Sequence, residues 1–264
     1  SRIGAMLPNA PLFDLLLRDF GKPIVATSGN ISQTPILYEE EAAFRDLSDI
    51  ADCILIHNRP IAMPQDDSVV LVRASGQATW LRRARGLAPA FIQAGLSVPG
   101  PTVLAMGAEM KSTFTWAHQG NVHISQYLGD LSDYEVQLRF REVLGQLTGL
   151  FKAQPAVVTG DLHPGYFSTA CGQMLAEQWQ VPWVQVQHHQ AHFAAVLAEN
   201  NLLNAIEPVL GVIWDGTGLG DDGQIWGGEF FCFDGEATKS SRLTRVAHFG
   251  YFPFLLGDKM PREP

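Results

Sequence analysis

The stretch from Val209 to Phe233 constrains the fold more than any other. Val209 to Ile213 is an apolar run that reads as a buried strand. Trp214-Asp215-Gly216-Thr217-Gly218-Leu219-Gly220-Asp221-Asp222-Gly223 follows, and Gln224 to Phe233 reads as the returning strand. Strand, Gly/Asp turn and strand make a hairpin. Glycine lets the backbone approach a ligand with no Cβ in the way. The freed N–H groups can face anionic oxygens, and the Asp carboxylates would hold Mg2+ or a water. Taken alone, an Asp-Gly turn is ordinary. Here the same pattern has already begun once: Thr102 to Met106 reads as a strand, Gly107-Ala108-Glu109-Met110-Lys111-Ser112 as a turn, and Thr113 to Ala117 and Val122 to Ser125 as further strands.

Between the two starts, helices alternate with strands. Val136, Phe140, Val143, Leu144, Leu147 and Phe151 have helical spacing, so a helix is predicted over Tyr134 to Phe151. Ala156 to Thr159 is a buried strand, Phe167 to Trp179 a helix, Trp183 to Val186 a strand and Ala191 to Asn200 a helix. A three-strand meander followed by alternating helices and strands predicts a mixed sheet with helices on its faces. When such a unit starts twice, two lobes flank a cleft, with the Gly turns facing across it. The expected class is α/β, on the plan shared by actin, sugar kinases and heat-shock ATPases (a ribonuclease H-like fold), with the second lobe truncated.

Residues 1–94 form a separate region. A helix fits Pro11 to Phe20, with Asn9 as cap, Leu12, Leu15 and Leu16 on one face and Gly21 as terminator. Pro23 to Ala26 reads as a short buried strand ending in the polar loop Thr27-Ser28-Gly29-Asn30. Glu39 to Leu47 reads as a helix, Cys53 to Ile56 as strand-like, and Ser68 to Val72 and Thr79 to Leu81 as strands. Prolines and glycines crowd residues 86–101, and a linker is expected at 95–101. Ser1-Arg2-Ile3-Gly4 is no initiator sequence and Lys259 to Pro264 stops without a closing helix, so an internal piece of a larger protein is expected.

Composition excludes several classes. With 46% hydrophobic and 17% charged residues the chain can build real cores. A net charge of -9 argues against a nucleic-acid partner. No apolar run is long enough to span a bilayer, so no membrane partner is expected. Cys53, Cys171 and Cys232 are odd in number and lack C-x-x-C spacing, which fits free thiols in a reducing cytoplasm.

The chemistry concentrates in Val186-Gln187-His188-His189-Gln190-Ala191-His192. His188 and His192 are four apart, share one helix face and form a metal-ligand pair. At least one carboxylate must come from elsewhere, within the chain or beyond residue 264. Asp161-Leu162-His163-Pro164 follows a strand and can line a crevice or merely shape a turn. Lys111 and Lys259 could meet phosphate or sit on the surface. Thr27, Ser28 and Asn30 suit a nucleotide, and Arg82, Arg83 and Arg85 suit phosphates.

In combination, these motifs resemble the HypF carbamoyltransferase family of [NiFe] hydrogenase maturation. The resemblance rests on Gly107-Ala108-Glu109 with Lys111, Ser125 to Leu131, Asp161 to Pro164, Gln187 to His192 and Trp214 to Glu229. In the first region Thr27 to Asn30, Asp67 to Val70 and Arg82 to Gly86 resemble its YrdC-like domain. The resemblance implies that residues 1–94 are the latter part of a domain forming carbamoyl adenylate from ATP (with Mg2+) and carbamoyl phosphate, and that residues 102–264 begin a carbamoyl-transfer domain. It implies transfer to the C-terminal cysteine of the partner HypE. Thr27, Ser28, Asn30, Ser68, Arg82 and Arg85 would bind the nucleotide, together with Asp215, Gly216, Thr217, Gly218, Gly220, Asp222 and Gly223. His188 and His192 would bind zinc or iron, and His189, His163 and Lys111 would take catalytic roles. The family's third metal ligand is expected further along than this chain extends. Rival readings are a tRNA threonylcarbamoyl transferase, an O-carbamoyltransferase or a small-molecule kinase of the same fold.

Overall fold

The computed structural model describes residues 3–31, 34–90, 100–235 and 242–251. The chain divides into two compact units, one of residues 1–32 and 36–60, the other of residues 33–35 and 61–264. The linker expected at 95–101 falls mostly outside the described residues, as does Lys259.

The first unit contains α1 (Pro11–Phe20) and α2 (Glu40–Leu47). Proline opens α1 and Gly21 closes it with φ 69°, its N–H returning to Leu17 O at 2.9 Å. Ala10, not Asn9, is the N-cap. Neither helix has a buried residue. The strands expected at Pro23 to Ala26 and Cys53 to Ile56 do not form, and these residues are mostly exposed. A strand needs a neighbour for its N–H and C=O groups, and no described segment of this unit supplies one.

The second unit opens with an antiparallel ribbon of β1 (Val69–Val72) and β2 (Ala78–Arg82). Then come β3 (Val103–Ala105), β4 (Thr115–His118), β5 (Asn121–Ile124), α3 (Tyr134–Phe151), β6 (Val157–Asp161), α4 (Phe167–Trp179), β7 (Trp183–Val186) and α5 (His188–Glu199). They build one sheet in the order β5-β4-β3-β6-β7, with the meander antiparallel and β3, β6 and β7 parallel. A second antiparallel meander of β8 (Val209–Leu219), β9 (Ile225–Phe233) and β10 (Leu243–His248) follows in the order β10-β9-β8. This is the α/β order expected from the sequence, with the meander restarting.

The helical spacing in α3 buries Val136, Phe140, Val143, Leu144 and Leu147 against Leu104, Phe114, Trp116 and Val158. Each such side chain contributes roughly 1.5–3 kcal/mol on leaving water. Asp133 caps the helix, accepting from the N–H groups of Glu135 and Val136. A second core packs Phe193 and Leu197 of α5 against Ile213, Trp226, Phe231 and Phe233 of the second sheet. Among the described residues, no helix is long and apolar enough to cross a membrane.

Two expectations need correction. Asp215, Gly216, Thr217 and Gly218 do not form the hairpin turn. They lie within β8, where Trp214 pairs with Gly228 and Gly218 with Trp226, so Asp215, Gly216 and Thr217 bulge opposite Gly227 alone. The turn proper is Gly220 to Gln224, closed by Gly220 N–H on Gln224 O at 2.9 Å. Helix α5 begins at His188 and not at Ala191, because Gln187 Oε1 accepts from Gln190 N–H and caps it. All three histidines of the motif therefore ride on the first turns of a helix.

Candidate metal centre

Asp161 is the last residue of β6, and His188 stands two residues past the end of β7. Both therefore sit at the carboxyl ends of parallel strands, where α/β sheets place ligands. The bulge in β8 brings Asp215 to the same point. Asp161 Oδ2 lies 2.6 Å from His188 Nδ1. Beyond the ring, His188 Nε2 lies 3.1 Å from Asp215 Oδ2 and 3.2 Å from His192 Nε2. His192 Nε2 is 3.6 Å from Asp215 Oδ2.

A neutral His188 that donates Nδ1–H to Asp161 has only a lone pair at Nε2. Three acceptor atoms, from His188, His192 and Asp215, then converge, which costs energy unless a cation joins them. Asp215 Oδ2 is buried and makes no hydrogen bond of adequate geometry despite its short approach to His188. Without a metal, a proton serves as the cation. The hydrogen bond to Asp161 first, and then the Asp215 carboxylate 3.1 Å from Nε2, push His188 up to about 9, against the opposing effect of burial. Burial alone would push Asp215 up, but the His188 and His192 rings outweigh it and hold the carboxyl well below the usual range. One oxygen and two imidazole nitrogens, all within 4.8 Å of one another, form a donor set suited to zinc or iron. The third ligand expected beyond residue 264 thus has a candidate within the chain, Asp215, which the sequence pattern had suggested for the nucleotide. Asp161 was readable only as a residue lining a crevice or shaping a turn.

His189 points the other way. It is fully buried, burial pushes its pKa down, and its ring packs beside Trp226 and Gly218. Gln187 Nε2 donates to its Nδ1 at 3.0 Å, so the neutral ring carries its proton on Nε2, 3.8 Å from Asp215 Oδ2. His163 Nδ1 accepts from Gly165 N–H at 3.1 Å, and the ring stacks on Tyr166 with centroids 4.3 Å apart. Both histidines expected to act as bases therefore present N–H toward their surroundings, not a lone pair. Burial, with Asp161, Asp215 and Glu109 adding to it, pushes the Tyr166 phenol up to about 12. Lys111 is exposed, in a left-handed turn conformation at φ 50°. Its neighbour Glu109 accepts from Phe167 N–H at 2.8 Å and so caps α4.

The nucleotide candidates are dispersed. Thr27, Ser28 and Asn30 belong to the first unit, where Ser28 Oγ bonds Asn30 Oδ1 at 2.5 Å. Ser68, Arg82 and Arg85 belong to the second. Ser68 Oγ donates to Arg85 O and accepts from Ala84 N–H. Arg85 reaches Gln65 O and Asp67. Arg82 lies over the Tyr127 ring with Nε buried and unpartnered. In the turn, Asp222 is engaged by Trp226 Nε1 at 2.8 Å and Tyr251 OH at 2.7 Å. Gly220 leaves no room for a Cβ beside the Trp226 indole. Together, Gly220, Asp222 and Gly223 close and pack the hairpin tip.

Comparison with known proteins agrees with this architecture. A family described as HypF Kae1-like domain matches residues 99–199, and one described as carbamoyltransferase, Kae1-like domain, second subdomain matches residues 211–264. A third, described as telomere recombination and covering the Sua5/YciO/YrdC group, matches residues 1–84. Carbamoyltransferase HypF of Synechocystis is 43% identical over 98% of this chain and 32% of its own length. Carbamoyltransferase HypF2 of Cupriavidus necator is 39% identical over 99% of this chain and 33% of its own. The crystal structure of HypF from T. kodakarensis superposes with a TM-score of 0.84 at 36% identity, over 97% of this chain and 32% of that one. A full-length HypF solved in a phosphate- and nucleotide-bound form gives 0.80 at 39% identity, over 93% of this chain and 37% of that one. The chain spans about a third of the length of the curated relatives it matches. On these matches, and on the sheet order and histidine motif that accompany them, the chain belongs to the HypF carbamoyltransferase family.

Proposed function

We propose that the protein is an ATP-dependent carbamoyltransferase of hydrogenase maturation, working in the cytoplasm. It forms carbamoyl adenylate from ATP-Mg2+ and carbamoyl phosphate and passes the carbamoyl group to the C-terminal cysteine of HypE. The observation that supports this reading best is the convergence of His188, His192 and Asp215 inside a chain whose relatives are named carbamoyltransferases.

Water first converts carbamoyl phosphate to carbamate and phosphate; carbamate is a poor electrophile, and joining it to the AMP of ATP, with loss of pyrophosphate, provides a leaving group. Arg82, whose Nε has no hydrogen-bond partner among the described residues, would meet the phosphate through its guanidinium. Within the second unit Arg85 would assist, with Ser68 shaping its loop. His188, His192 and Asp215 would hold zinc or iron, which when bound supplies Lewis acidity to the carbonyl or phosphate oxygen. The acceptor sulfur attacks the carbamoyl carbon, the C–S bond forms, and the C–O bond to AMP breaks. His163 presents Nε2–H as a donor, so the sulfur is expected to arrive as thiolate. His189, buried behind Asp215, serves position and not proton transfer.

The test incubates the intact protein with ATP, Mg2+, carbamoyl phosphate and a peptide ending in the HypE cysteine. Mass spectrometry should show one carbamoyl group on sulfur, dependent on ATP. Carbamoylation of tRNA or of a sugar hydroxyl, with the peptide untouched, would replace this reading by one of its rivals.

A further inference from the structure

We propose that Asp161 is the positioning residue of the metal centre, holding His188 in the tautomer and rotamer that aims Nε2 at the ion. This rests on the metal reading given above. Both carboxylate oxygens of Asp161 are committed. Oδ1 accepts from His163 N–H at 2.8 Å, and Oδ2 faces His188 Nδ1 at 2.6 Å. Its side chain is 6% exposed, and its own carbonyl accepts from Thr169 Oγ1 of α4 at 3.2 Å. The carboxylate is thus anchored by the loop, the strand end and a helix before it meets the ring.

His192 has no counterpart among the described residues. Its side chain is 55% exposed, and among the described residues its hydrogen-bonding, ionic and ring contacts are with His188 and Asp215 across the centre itself. The two imidazoles are therefore unequal. One is oriented in advance by a buried carboxylate, while the other must be ordered by the ion. A ligand held in its bound rotamer loses less conformational entropy on binding. A carboxylate on the far nitrogen also fixes the tautomer and raises the basicity of the ligating one. His163 enters this arrangement through its backbone N–H, which gives the Asp-Leu-His turn a positioning role separate from its imidazole.

The experiment titrates cobalt(II) into the intact protein, followed by its visible absorption, for the wild type, Asp161→Asn and Asp161→Ala. In parallel, the ring nitrogens of His188 are observed by 15N NMR without metal, at a pH well above about 9, where the ring is neutral and its tautomer is defined. The expected result is an affinity loss of about 10–100-fold in both variants, with the same absorption at saturation. The Asn variant, whose amide can donate to Nδ1, should also move the ring proton to Nε2. If the Ala variant fails to fold, the isosteric Asn variant decides. Affinity within about twofold of wild type and unchanged ring shifts would overturn the positioning role alone. A wild type that takes up no cobalt would overturn the metal reading and this inference together.

Discussion

Oδ2 of Asp215 stands 3.1 Å from Nε2 of His188, although α5, the loop behind it and the first half of β8 separate the two in sequence. The His188 ring is raised from 6.5 to about 9 by its bond to Asp161 and by the nearby Asp215 carboxylate. A group whose folded-state pKa lies above its unfolded value stabilises fully below the unfolded value and loses that stabilisation as pH rises through the folded one. In chelator, the metal-free protein should therefore lose stability between about pH 6.5 and 9, by up to roughly 3 kcal/mol. Urea midpoints at several pH values check this. Adding zinc at the upper end should restore the midpoint, since metal and proton compete for one lone pair. A flat profile would mean that His188 remains neutral.

Asp215→Ala removes a candidate ligand and also an acceptor facing His188. Its metal affinity should fall by more than the roughly 10–100-fold typical of outer-shell changes, measured by elemental analysis after dialysis against a competing chelator. Retention of wild-type metal content in this variant, together with loss in His188→Ala, would place the carboxylate ligand elsewhere.

Gly218→Ala tests the bulge. A Cβ there would overlap the ring of His189, which is fully buried and cannot move aside freely. The expected cost is about 1–3 kcal/mol, read as a lower denaturation midpoint. Metal affinity should weaken too, because the bulge carries Asp215. A substitution tolerated without change would show that β8 and α5 can separate.

Glu229→Ala addresses the second sheet. Glu229 is buried on β9 and binds Arg245 Nε of β10 at 2.6 Å, while the Arg245 guanidinium stacks 3.7 Å from the Trp226 ring. Glu229→Ala leaves Arg245 partly exposed, with Tyr251 OH at 2.8 Å and Asp222 at 3.6 Å still facing it, so the loss should be about 1–3 kcal/mol. Arg245→Met should cost more, about 3–5 kcal/mol, since it keeps the stacked bulk but leaves the Glu229 carboxylate buried without its cation. Thermal unfolding of the two variants compares them directly.

Much of the fold was readable in residue spacing. The 3.6-residue period of Val136 to Phe151 predicted α3 to the residue, and Gly21 marked the end of α1. The element order and the mixed sheet followed from a meander and alternating elements, which leave few ways to connect. Strands were misread where the apolar run was present but no neighbour was, as at Pro23 to Ala26. The hairpin was misread because glycine and aspartate signal a turn equally well when they serve a bulge. Local composition does not distinguish these cases.

For the site, the sequence alone established the histidine pair, because i and i+4 on any helix share a face. It also established the family, through motifs that occur in one order. Only the tertiary structure decided which carboxylates meet those histidines. Asp161 lies 27 residues before His188, and Asp215 sits on a strand of a different sheet. Such contacts depend on strand register and on a bulge that rotates Asp215 toward α5, and no local pattern of residue types encodes that rotation. The same packing assigned His189 to the interior and His188 to the centre, although they are adjacent in sequence. Successive helix residues point about 100° apart, and the second sheet determined which of those directions was buried.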